Sequence, residues 1–343
     1  MWYRDMGIDL GTVNTLIYVR GKGIVINEPS VVALNKKTGQ ILAIGEEARK
    51  MVGKTPSHII AIRPLVGGVV SDFEITEQMI RYFIDKVFGR RFLPWPQPRL
   101  VIGVPCGVTE VEKKAVEDAA KNAGAGEAYL VEEPMAASIG IRLPINDATG
   151  NMIVDIGGGT TEAAVISLGG IVNSRSIRIA GERLNQDIVR YAEEEFKLVL
   201  GERTAEEIKI KIGSAIPLKE ELQYPMRGRD IITGLPKEIM VTDEDIREAM
   251  KISIRTIVSE VKNAVEDTPP ELLADVMRSG INLVGGGSLL RKLDELIKRE
   301  TKISVKIPED PMTAVVRGCG VILENLPKLR DILISTEELE PPK

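Results

Sequence analysis

The chain has 343 residues, of which 43% are hydrophobic and 28% are charged, so it can fill a sizeable core, and its length favours two lobes over one. Its 45 lysines and arginines against 50 acidic residues give a net charge of -5, which argues against nucleic acid as a partner. With one histidine and two cysteines, no zinc or iron site is plausible and a histidine-based catalytic triad is nearly excluded.

The cysteines and the N-terminal residues indicate the cellular compartment of the protein. Cys106 and Cys319 each lie within an apolar stretch, which predicts buried free thiols and a reducing compartment, the cytoplasm. Arg4 and Asp5 interrupt the apolar residues at the N-terminus, so no targeting signal is expected. No apolar run approaches the ~18 residues that a spanning helix needs, so any membrane contact would be peripheral. The lone histidine, His58, is expected on the surface.

The hydrophobic pattern switches between the strand and helix periods along the chain, which predicts an α/β fold. The first strands are predicted at Met6–Leu10 and at residues 15–19, 23–26, 30–34 and 42–44. Short Gly or Pro turns separate them, so they are expected to form a meander. A helix is then predicted with Thr76 as its N-cap, because apolar residues recur at helical spacing as far as Val87.

A further strand and helix complete the first half. Residues Arg99–Val104 predict a buried strand, and the capping box from Thr109 to Glu112 predicts the start of a helix that Gly124 ends. The buried stripe of that helix is expected to contain Val111, Ala115, Ala119 and Ala123.

The second half begins as the first does, with two strands joined by a glycine turn, at Asn151–Ile156 and residues 162–168. A helix is predicted to follow, on the apolar residues Leu184, Ile188, Ala192 and Phe196. Further helices are predicted over residues 204–213 and from Asp243 until Pro269 and Pro270 stop the helix. The common order indicates an internal duplication of architecture.

Two copies of one glycine-rich turn open the two halves. Residues 7–12 read GIDLGT and residues 154–161 read VDIGGGTT. Glycines let the backbone turn sharply, so that consecutive N–H groups form a nest for phosphate oxygens. A carboxylate beside such a nest would repel phosphate unless a cation lay between them, so Asp9 and Asp155 are expected to hold Mg2+ through its waters. A capping role is the alternative for both.

A third glycine cluster, Gly285 to Ser288, follows the apolar run at residues 281–284 and precedes a helical pattern from Leu289. A strand, a glycine turn and a helix N-terminus let the backbone approach a ligand closely. We expect phosphates between the first two clusters and the third cluster over the nucleoside.

Four segments together resemble the superfamily of actin, Hsp70 and the sugar kinases. They read GIDLGTVNT, VDIGGGTTE, VEEPMAA and GGGSLL. Within that superfamily the similarity to the MreB family of bacterial actins is close, and it extends over nearly the whole chain, from Asp5 to Leu326. The resemblance implies a two-lobed actin-like fold, each lobe on a ribonuclease-H-like mixed sheet with flanking helices. It also implies ATP and Mg2+ in the cleft and monomers that polymerise into filaments.

On this resemblance the first lobe is expected to comprise residues 1–147 and 313–343, with a small subdomain near 33–66. The second lobe is expected at residues 148–312, with its small subdomain near 184–247. The resemblance further implies a slow Mg-dependent ATPase coupled to assembly of filaments that organise cell-wall synthesis and determine rod shape. The expected partners are further copies of the chain, the inner face of the cytoplasmic membrane and the cell-wall elongation machinery.

The segment from Val131 to Pro134 supplies candidates for catalysis. ATP hydrolysis needs a water in line with the γ-phosphate and neutralised charge on its oxygens. Glu133 is preferred to Glu132, because the family's catalytic carboxylate matches the residue just before the proline. Thr160 is expected to share that water through its hydroxyl. The alternatives are a solvated strand end for the two glutamates and an ordinary turn hydroxyl for Thr160.

The family places a nucleoside contact at residues 204–209, so Glu206 and Lys209 are assigned to the ribose and base, although charges at this spacing are usually a surface pair. The adenine side is expected at residues 286–289. The residues expected to bind nucleotide are Gly11, Thr12, Val13, Asn14, Gly157, Gly158, Gly159, Thr160, Glu206, Glu207, Ile208, Lys209, Gly285, Gly286, Gly287, Ser288 and Leu289.

Residues 90–96 read RRFLPWP and do not look like an ordinary solvent-facing loop. Trp lies well at the level of lipid headgroups and arginines attract anionic lipid, so Phe92, Leu93 and Trp95 are expected to contact the membrane. MreB proteins are similar in carrying an apolar loop here. The alternative is that the aromatic side chains tuck under the lobe. Residues 1–3 would add only a short apolar tail.

Two other classes of the superfamily fit less well. An Hsp70-type chaperone would need a substrate-binding region after the ATPase lobes, and the residues up to Lys343 leave no room for one. A small-molecule kinase would need a base for a hydroxyl acceptor, and residues 27–72 are too few for a large substrate cap. Pelleting with and without ATP separates a filament from an enzyme that phosphorylates small hydroxyl substrates.

Overall fold

Two five-stranded mixed sheets form the centre of the fold. The computed structural model describes residues 5–89 and 97–334 of the chain. In the first half the strands are β1 (Met6–Leu10), β2 (Asn14–Val19), β3 (Gly23–Pro29), β4 (Val32–Asn35), β5 (Ile41–Ile44), β6 (Ile59–Ile62), β7 (Leu65–Val66), β8 (Val69–Val70), β9 (Arg99–Val104) and β10 (Glu127–Glu132). The helices of this half are α1 (Glu46–Met51), α2 (Phe73–Phe88), α3 (Glu110–Asn122) and α4 (Glu133–Gly140).

The second half has the same mixture of elements. Its strands are β11 (Asn151–Ile156), β12 (Thr161–Ser167), β13 (Gly170–Ile177), β14 (Leu198–Val199), β15 (Gln223–Asp230), β16 (Pro236–Thr242), β17 (Ile281–Val284) and β18 (Val305–Lys306). Its helices are α5 (Gly181–Phe196), α6 (Glu202–Ile212), α7 (Asp243–Glu266), α8 (Pro270–Ser279), α9 (Leu293–Thr301) and α10 (Ala314–Glu324). Short 3-10 turns lie at Gly286–Leu289, Pro311–Thr313 and Arg330–Ile332.

Both large sheets repeat one arrangement. The first sheet has the order β10-β9-β1-β2-β3 and the second the order β13-β12-β11-β17-β18. In each, the strand that carries the aspartate, β1 or β11, is antiparallel to its hairpin partner and parallel to a later strand, β9 or β17. The predicted α/β fold with an internal duplication is therefore confirmed.

Three smaller sheets lie outside this pair. They have the orders β5-β4-β6, β7-β8 and β14-β15-β16. Helix α1 packs on β4 and β5 in the first half, and α6 packs on β15 in the second. Each half therefore has a small region beside its large sheet. Most of the residues of this region lie between the hairpin and the later strands of that half.

The N-terminal strands lie where the sequence predicts them, but only β1, β2 and β3 form the predicted meander, because β4 and β5 form a smaller sheet with β6. The start of α2 also differs from the prediction. Asp72 caps this helix, since its side chain accepts the N–H of Ile75 at 3.1 Å. Thr76, the predicted N-cap, lies inside the helix, where its hydroxyl donates to the Asp72 carbonyl at 2.7 Å. The prediction was wrong because a buried Thr can bond the preceding turn of its own helix as readily as it can cap a new one.

Helix α3 begins as predicted and buries part of the predicted stripe. Thr109 and Glu112 form the reciprocal capping box. Ala119 and Ala123 are buried as predicted, whereas Val111 is 78% exposed. Val116 and Ala120 are buried in addition, because the alanine-rich sequence allows more than one small-residue face to pack.

Helix α7 begins at Asp243, as predicted. Thr242 and Asp245 form a second capping box, which the sequence analysis missed. The helix ends at Glu266, ahead of Pro269 and Pro270 as predicted. Pro270 then opens α8, an additional helix, because proline's fixed φ suits the first helical turn.

Buried apolar residues fill both sides of the two sheets. Cys106 and Cys319 are buried free thiols, as predicted, and His58 is exposed. Across residues 5–89 and 97–334, no helix is both long and apolar enough to cross a membrane.

Helices α4 and α10 approach each other at glycine. A Cβ added to Gly318 on α10 would overlap the carbonyl oxygen of Ala136 on α4. A Cβ added to Gly140 on α4 would likewise overlap the carbonyl oxygen of Ala314. The two backbones are therefore in direct contact, and only glycine allows it.

We expect Gly318→Ala to lower the free energy of unfolding by about 2–4 kcal/mol, since the added methyl group must push two buried helices apart. Urea unfolding followed by circular dichroism measures the change. Gly201→Ala is the matched control, because no atom lies within 4 Å of its added Cβ. Equal stability of the two variants would contradict the helix contact.

Candidate functional site

The first two glycine clusters contact each other. A Cβ on Gly158 would overlap the side chain of Val13, and a Cβ on Gly159 would overlap the Thr12 hydroxyl. The loop after β11 therefore lies directly on the loop after β1, and glycine is required at both positions of closest approach. The structure brings together two predicted phosphate loops that are far apart in sequence.

A third loop, which the sequence analysis did not assign to the site, covers this contact. The β7–β8 turn contains Gly67 and Gly68, both with positive φ. The Gly68 N–H donates to Thr12 Oγ1 at 2.9 Å, and a Cβ on Gly68 would meet Pro105 and the Thr160 methyl group. The consecutive glycines were the signal in the sequence, but nothing local indicated where the turn would pack.

The N-terminus of α5 supports the second glycine loop. The N–H of Gly181 donates to the Gly157 carbonyl at 3.2 Å, and the N–H of Glu182 donates to the Gly158 carbonyl at 2.9 Å. The Lys209 ammonium of α6 donates to the Gly181 carbonyl at 2.8 Å. Burial lowers the pKa of Lys209 to about 8, although Glu206 and Glu182 oppose the shift. A basic group thus lies beside the loop.

The third glycine cluster packs against the end of β11. Gly285 has φ +78°, and a Cβ there would overlap the Asp155 carboxylate and the Ile156 carbonyl. The residues that follow reach α6, because the Arg291 guanidinium donates to the Ile210 carbonyl at 2.8 Å. The predicted phosphate and nucleoside segments therefore form a continuous surface.

The predicted nucleoside residues do not all face that surface in the same way. Glu206 is half-buried and pairs with Arg49 at 3.9 Å. Glu207 is exposed and accepts a hydrogen bond from the Tyr224 hydroxyl at 2.6 Å. The Ile208 side chain is fully buried in the core of the second half, so it offers no side-chain group to a ligand. Leu289 is 54% exposed.

Four carboxyl groups from both halves lie at this site, and all have raised pKa values. Burial raises the pKa of Asp155 to about 7, and burial together with the Asp155 charge raises the pKa of Asp9 to about 8. Burial and the same charge raise the pKa of Glu162 to about 8. The pKa of Glu133 lies well above its usual range because of burial and the other three acids.

The acids are arranged around the strand ends and not as a direct metal cage. In the part of the chain that the structure describes, no three His, Cys, Asp or Glu side chains are placed to hold one metal ion. Asp9 is paired with Gly103 of β9, and a Cβ on Gly103 would lie 3.4 Å from Glu133 Cγ. The site therefore brings acidic side chains from both sheets close together, and each raises the cost of ionising its neighbours.

Ion pairs join the first half to helices α5 and α6 of the second half. Arg63, which follows β6, lies 3.1 Å from Glu182 of α5 and 3.1 Å from Glu202 of α6. The Arg49–Glu206 pair is arranged in the same way, with the arginine in the first half and the glutamate in the second. The sequence analysis did not predict these pairs, because their members lie more than a hundred residues apart. The predicted membrane residues Phe92, Leu93 and Trp95 lie outside the described residues.

A sequence profile for the family described as MreB/Mbl protein matches residues 3–331 of the chain. The chain is 50% identical over 329 residues to the cell shape-determining protein Mbl of Bacillus subtilis strain 168, which covers 96% of this chain and 98% of that protein. It is 47% identical over 328 residues to the cell shape-determining protein MreB of Escherichia coli strain K12, with 94% of each chain covered.

Solved structures share the fold. MreB5 of Spiroplasma citri bound to AMPPNP has a TM-score of 0.90 and 37% identity, with 96% of this chain and 99% of that chain covered. A MamK double helical filament has a TM-score of 0.79 and 24% identity, with 93% and 98% covered. The second likeness concerns the fold alone.

The buried acids predict a pH-dependent stability. Their folded pKa values are raised, so the stability that they contribute is present below their ordinary values near 4 and is lost as pH rises through about 7–8. Without nucleotide or metal, we expect the free energy of unfolding to fall between pH 6.0 and 8.5. In Asp155→Asn, the free energy of unfolding should fall by about 1 kcal/mol less over this pH range than in the wild-type protein.

Urea unfolding with a chelator at a series of pH values measures this slope. Asp147→Asn is a suitable control, since Asp147 lies outside the cluster on the loop after α4. An identical slope in wild type and Asp155→Asn would mean that the Asp155 carboxyl does not titrate in this range.

Proposed function

Because this chain belongs to the MreB/Mbl family of actin-like, cell shape-determining proteins, we propose that it binds and hydrolyses ATP and polymerises into membrane-associated filaments. One observation carries the proposal: two glycine loops from duplicated hairpins lie in contact, with an aspartate on the strand that leads into each. Such loops can hold successive phosphates on backbone N–H groups. The MreB5 structures of Spiroplasma citri are bound to ADP and AMPPNP, which supports a nucleotide as the ligand.

The acidic residues fit Mg2+ as a companion of the nucleotide. Asp9 and Asp155 lie at equivalent positions, one residue before the ends of β1 and β11, and the Asp155 charge helps to raise the pKa of Asp9. Mg2+ keeps several waters and touches few protein groups, so the two aspartates would hold it through water. When bound, the ion supplies positive charge that screens the phosphates from the carboxylates.

The proposed catalytic pair comes from opposite halves. Glu133 is the first residue of α4, at the end of β10, and Thr160 is buried at the start of β12. The Glu133 carboxylate would orient a water and receive its proton, and a raised pKa makes the carboxylate a better proton acceptor near neutral pH. The Thr160 hydroxyl would hold the same water from the other side.

The nucleoside would lie between α6 and the third glycine cluster. Glu206 and Lys209 are the side chains of α6 that are partly buried beside the second loop. The backbone at Gly286 offers a close approach, since only Met312 Sδ lies within 4 Å of an added Cβ, whereas Gly287 is packed against the Ile156 side chain. Glu207 and Ile208 would support the helix.

The lobe boundaries predicted from the sequence form part of the proposal. Helix α10 packs on α4 and on β1 of the first sheet, which supports placing the residues from 313 onward with the first lobe. We further propose that the protein acts in the cytoplasm, on the inner face of the membrane, and that the filaments organise cell-wall synthesis with the elongation machinery. The family relationship supports these roles.

The first test of the proposal compares two adjacent glutamates. Glu133→Gln should lower the rate of phosphate release by about ten- to a thousandfold, because the water loses its proton acceptor. Binding of a fluorescent ATP analogue should change little, and the variant should still pellet with ATP. Phosphate release in a coupled assay measures the rate.

Glu132→Gln is the adjacent control, since it removes the neighbouring carboxyl charge at the end of β10 and leaves the Glu133 side chain of α4 in place. We expect its rate to stay within about threefold of wild type. Loss of nucleotide binding in Glu133→Gln, or equal rates in the two variants, would remove Glu133 from catalysis. A wild-type protein that neither pellets nor hydrolyses ATP would overturn the proposed function.

Membrane attachment is proposed to come from Phe92, Leu93 and Trp95. Apolar burial contributes about 25 cal/mol per Å2 and an aromatic side chain presents ~150–250 Å2, so partial insertion would yield a few kcal/mol per monomer. A single monomer would bind weakly. A filament presents many copies on one face, so the polymer should bind lipid where the monomer does not.

Replacing Phe92, Leu93 and Trp95 together by Ser should therefore abolish co-sedimentation of the polymer with anionic liposomes and leave ATP hydrolysis unchanged. Ile232→Ser with Leu235→Ser is the control, because these side chains are 81% and 64% exposed on the β15–β16 turn. Lipid binding by a stable triple variant would exclude this loop as the membrane contact. Loss of several kcal/mol of stability would mean that the loop packs inside the protein.

A further inference from the structure

Glu162 is a buried carboxylate that the proposed function does not use. It lies on β12 opposite Asp155 of β11 in the antiparallel register. Side chains of directly opposed residues lie on the same face of a sheet, so Glu162 shares the face of Asp155. Glu162 is 1% exposed. The Glu162 carboxylate would repel the Asp155 carboxylate, so its presence needs an explanation of its own.

The hydrogen bonds of Glu162 connect the two halves of the molecule. Its Oε1 accepts the backbone N–H of Cys106 at 2.8 Å and the hydroxyl of Ser176 at 3.0 Å. Ser176 belongs to β13, in the same sheet as Glu162. Cys106 belongs to the first half, two residues after the end of β9. The bond from Cys106 therefore crosses between the sheets.

Both ends of this bond lie next to a proposed catalytic group. Strands β9 and β10 are parallel neighbours, with Val104 opposite Glu132, so Cys106 and Glu133 follow them at the same edge of the first sheet. On the other side, Glu162 lies two residues after Thr160. The Cys106–Glu162 hydrogen bond thus links the segment after β9, next to Glu133, with the segment that carries Thr160.

A cavity of about 210 Å3 lies between these segments, lined by Gly67, Pro105, Cys106, Thr160, Ser174 and Ser176 among others. The Gly68 turn contacts both Pro105 and Thr160, and side chains do not fill the cavity beside it. Polar contacts that span such a space therefore help to set the distance between the segments. The Glu162 oxygen is suited to that role, because it accepts from both Cys106 and Ser176.

We propose that Glu162 is a positioning residue, whose hydrogen bond from the Cys106 N–H holds Glu133 and Thr160 at the separation that ATP hydrolysis requires. Glu162 need not touch the nucleotide for this role. The inference rests on the proposed function, because Glu133 and Thr160 are its proposed catalytic pair. The Cys106–Glu162 bond itself is a feature of the structure and can be tested without ATP turnover.

The experiment uses the full chain and three variants. Glu162→Gln keeps an acceptor oxygen and removes the charge. Glu162→Leu removes the acceptor, and it should fold, because an apolar side chain of similar size relieves the burial of a charge. Ser176→Ala is the matched control, since it removes the other donor to Oε1 and leaves the bond between the halves in place.

We expect Glu162→Leu to lower kcat by about ten- to a hundredfold, as a small misplacement of catalytic groups does, with a nucleotide affinity close to wild type. Glu162→Gln should restore most of the rate, and Ser176→Ala should keep it. Amide hydrogen exchange, read by mass spectrometry without nucleotide, should show the Cys106 N–H exchanging about tenfold faster in Glu162→Leu than in the other proteins.

The outcomes separate the inference from the proposed function. If Glu162→Gln is as slow as Glu162→Leu while nucleotide binding is intact, the charge is essential and positioning through the hydrogen bond is wrong. If Cys106 exchange is the same in all variants, the bond between the halves does not exist in solution. If exchange responds as expected and Glu133→Gln hydrolyses ATP normally, the bond stands and the proposed catalytic pair is wrong.

Discussion

The rest of the structure depends on carboxylates buried where two sheets meet. Asp9 and Asp155 occupy equivalent places on β1 and β11, and Glu133 and Glu162 lie beside them. Burial and mutual repulsion raise the pKa of these groups, so the cluster costs folding free energy unless a cation or a proton offsets it. The duplicated fold repeats this unfavourable feature at the same position in both sheets, which is the reason for proposing a cation there.

Close backbone approach is the second constraint, and it follows from the first. A phosphate can sit near carboxylates only if donors surround it, and the donors available at the two loops are main-chain N–H groups. Gly158 and Gly159 allow the second loop to lie on Thr12 and Val13, and Gly68 allows a further turn to cover Thr160. A side chain at any of these three positions would overlap neighbouring atoms, so the loops would have to move apart.

The two halves are joined by polar contacts. The Cys106 N–H reaches Glu162 beside a cavity, and Arg63 pairs with Glu182 and Glu202. Helices α4 and α10, by contrast, meet through glycine and backbone atoms next to the first sheet. Tight packing of this kind resists displacement, whereas exposed ion pairs are weak and easily exchanged with water.

The sequence by itself determined the α/β class, the two glycine hairpins, the Thr109 capping box and the aspartates at the strand ends, because periodicity, capping and glycine turns depend on neighbours a few residues apart. It was wrong about Thr76 as an N-cap and about Val111 in the buried stripe of α3, where more than one local arrangement satisfies the same residues. Only the tertiary structure decided that Gly68 covers Thr160 and that Glu162 meets Cys106, since long-range packing brings these segments together. Such contacts leave no periodic signal along the chain.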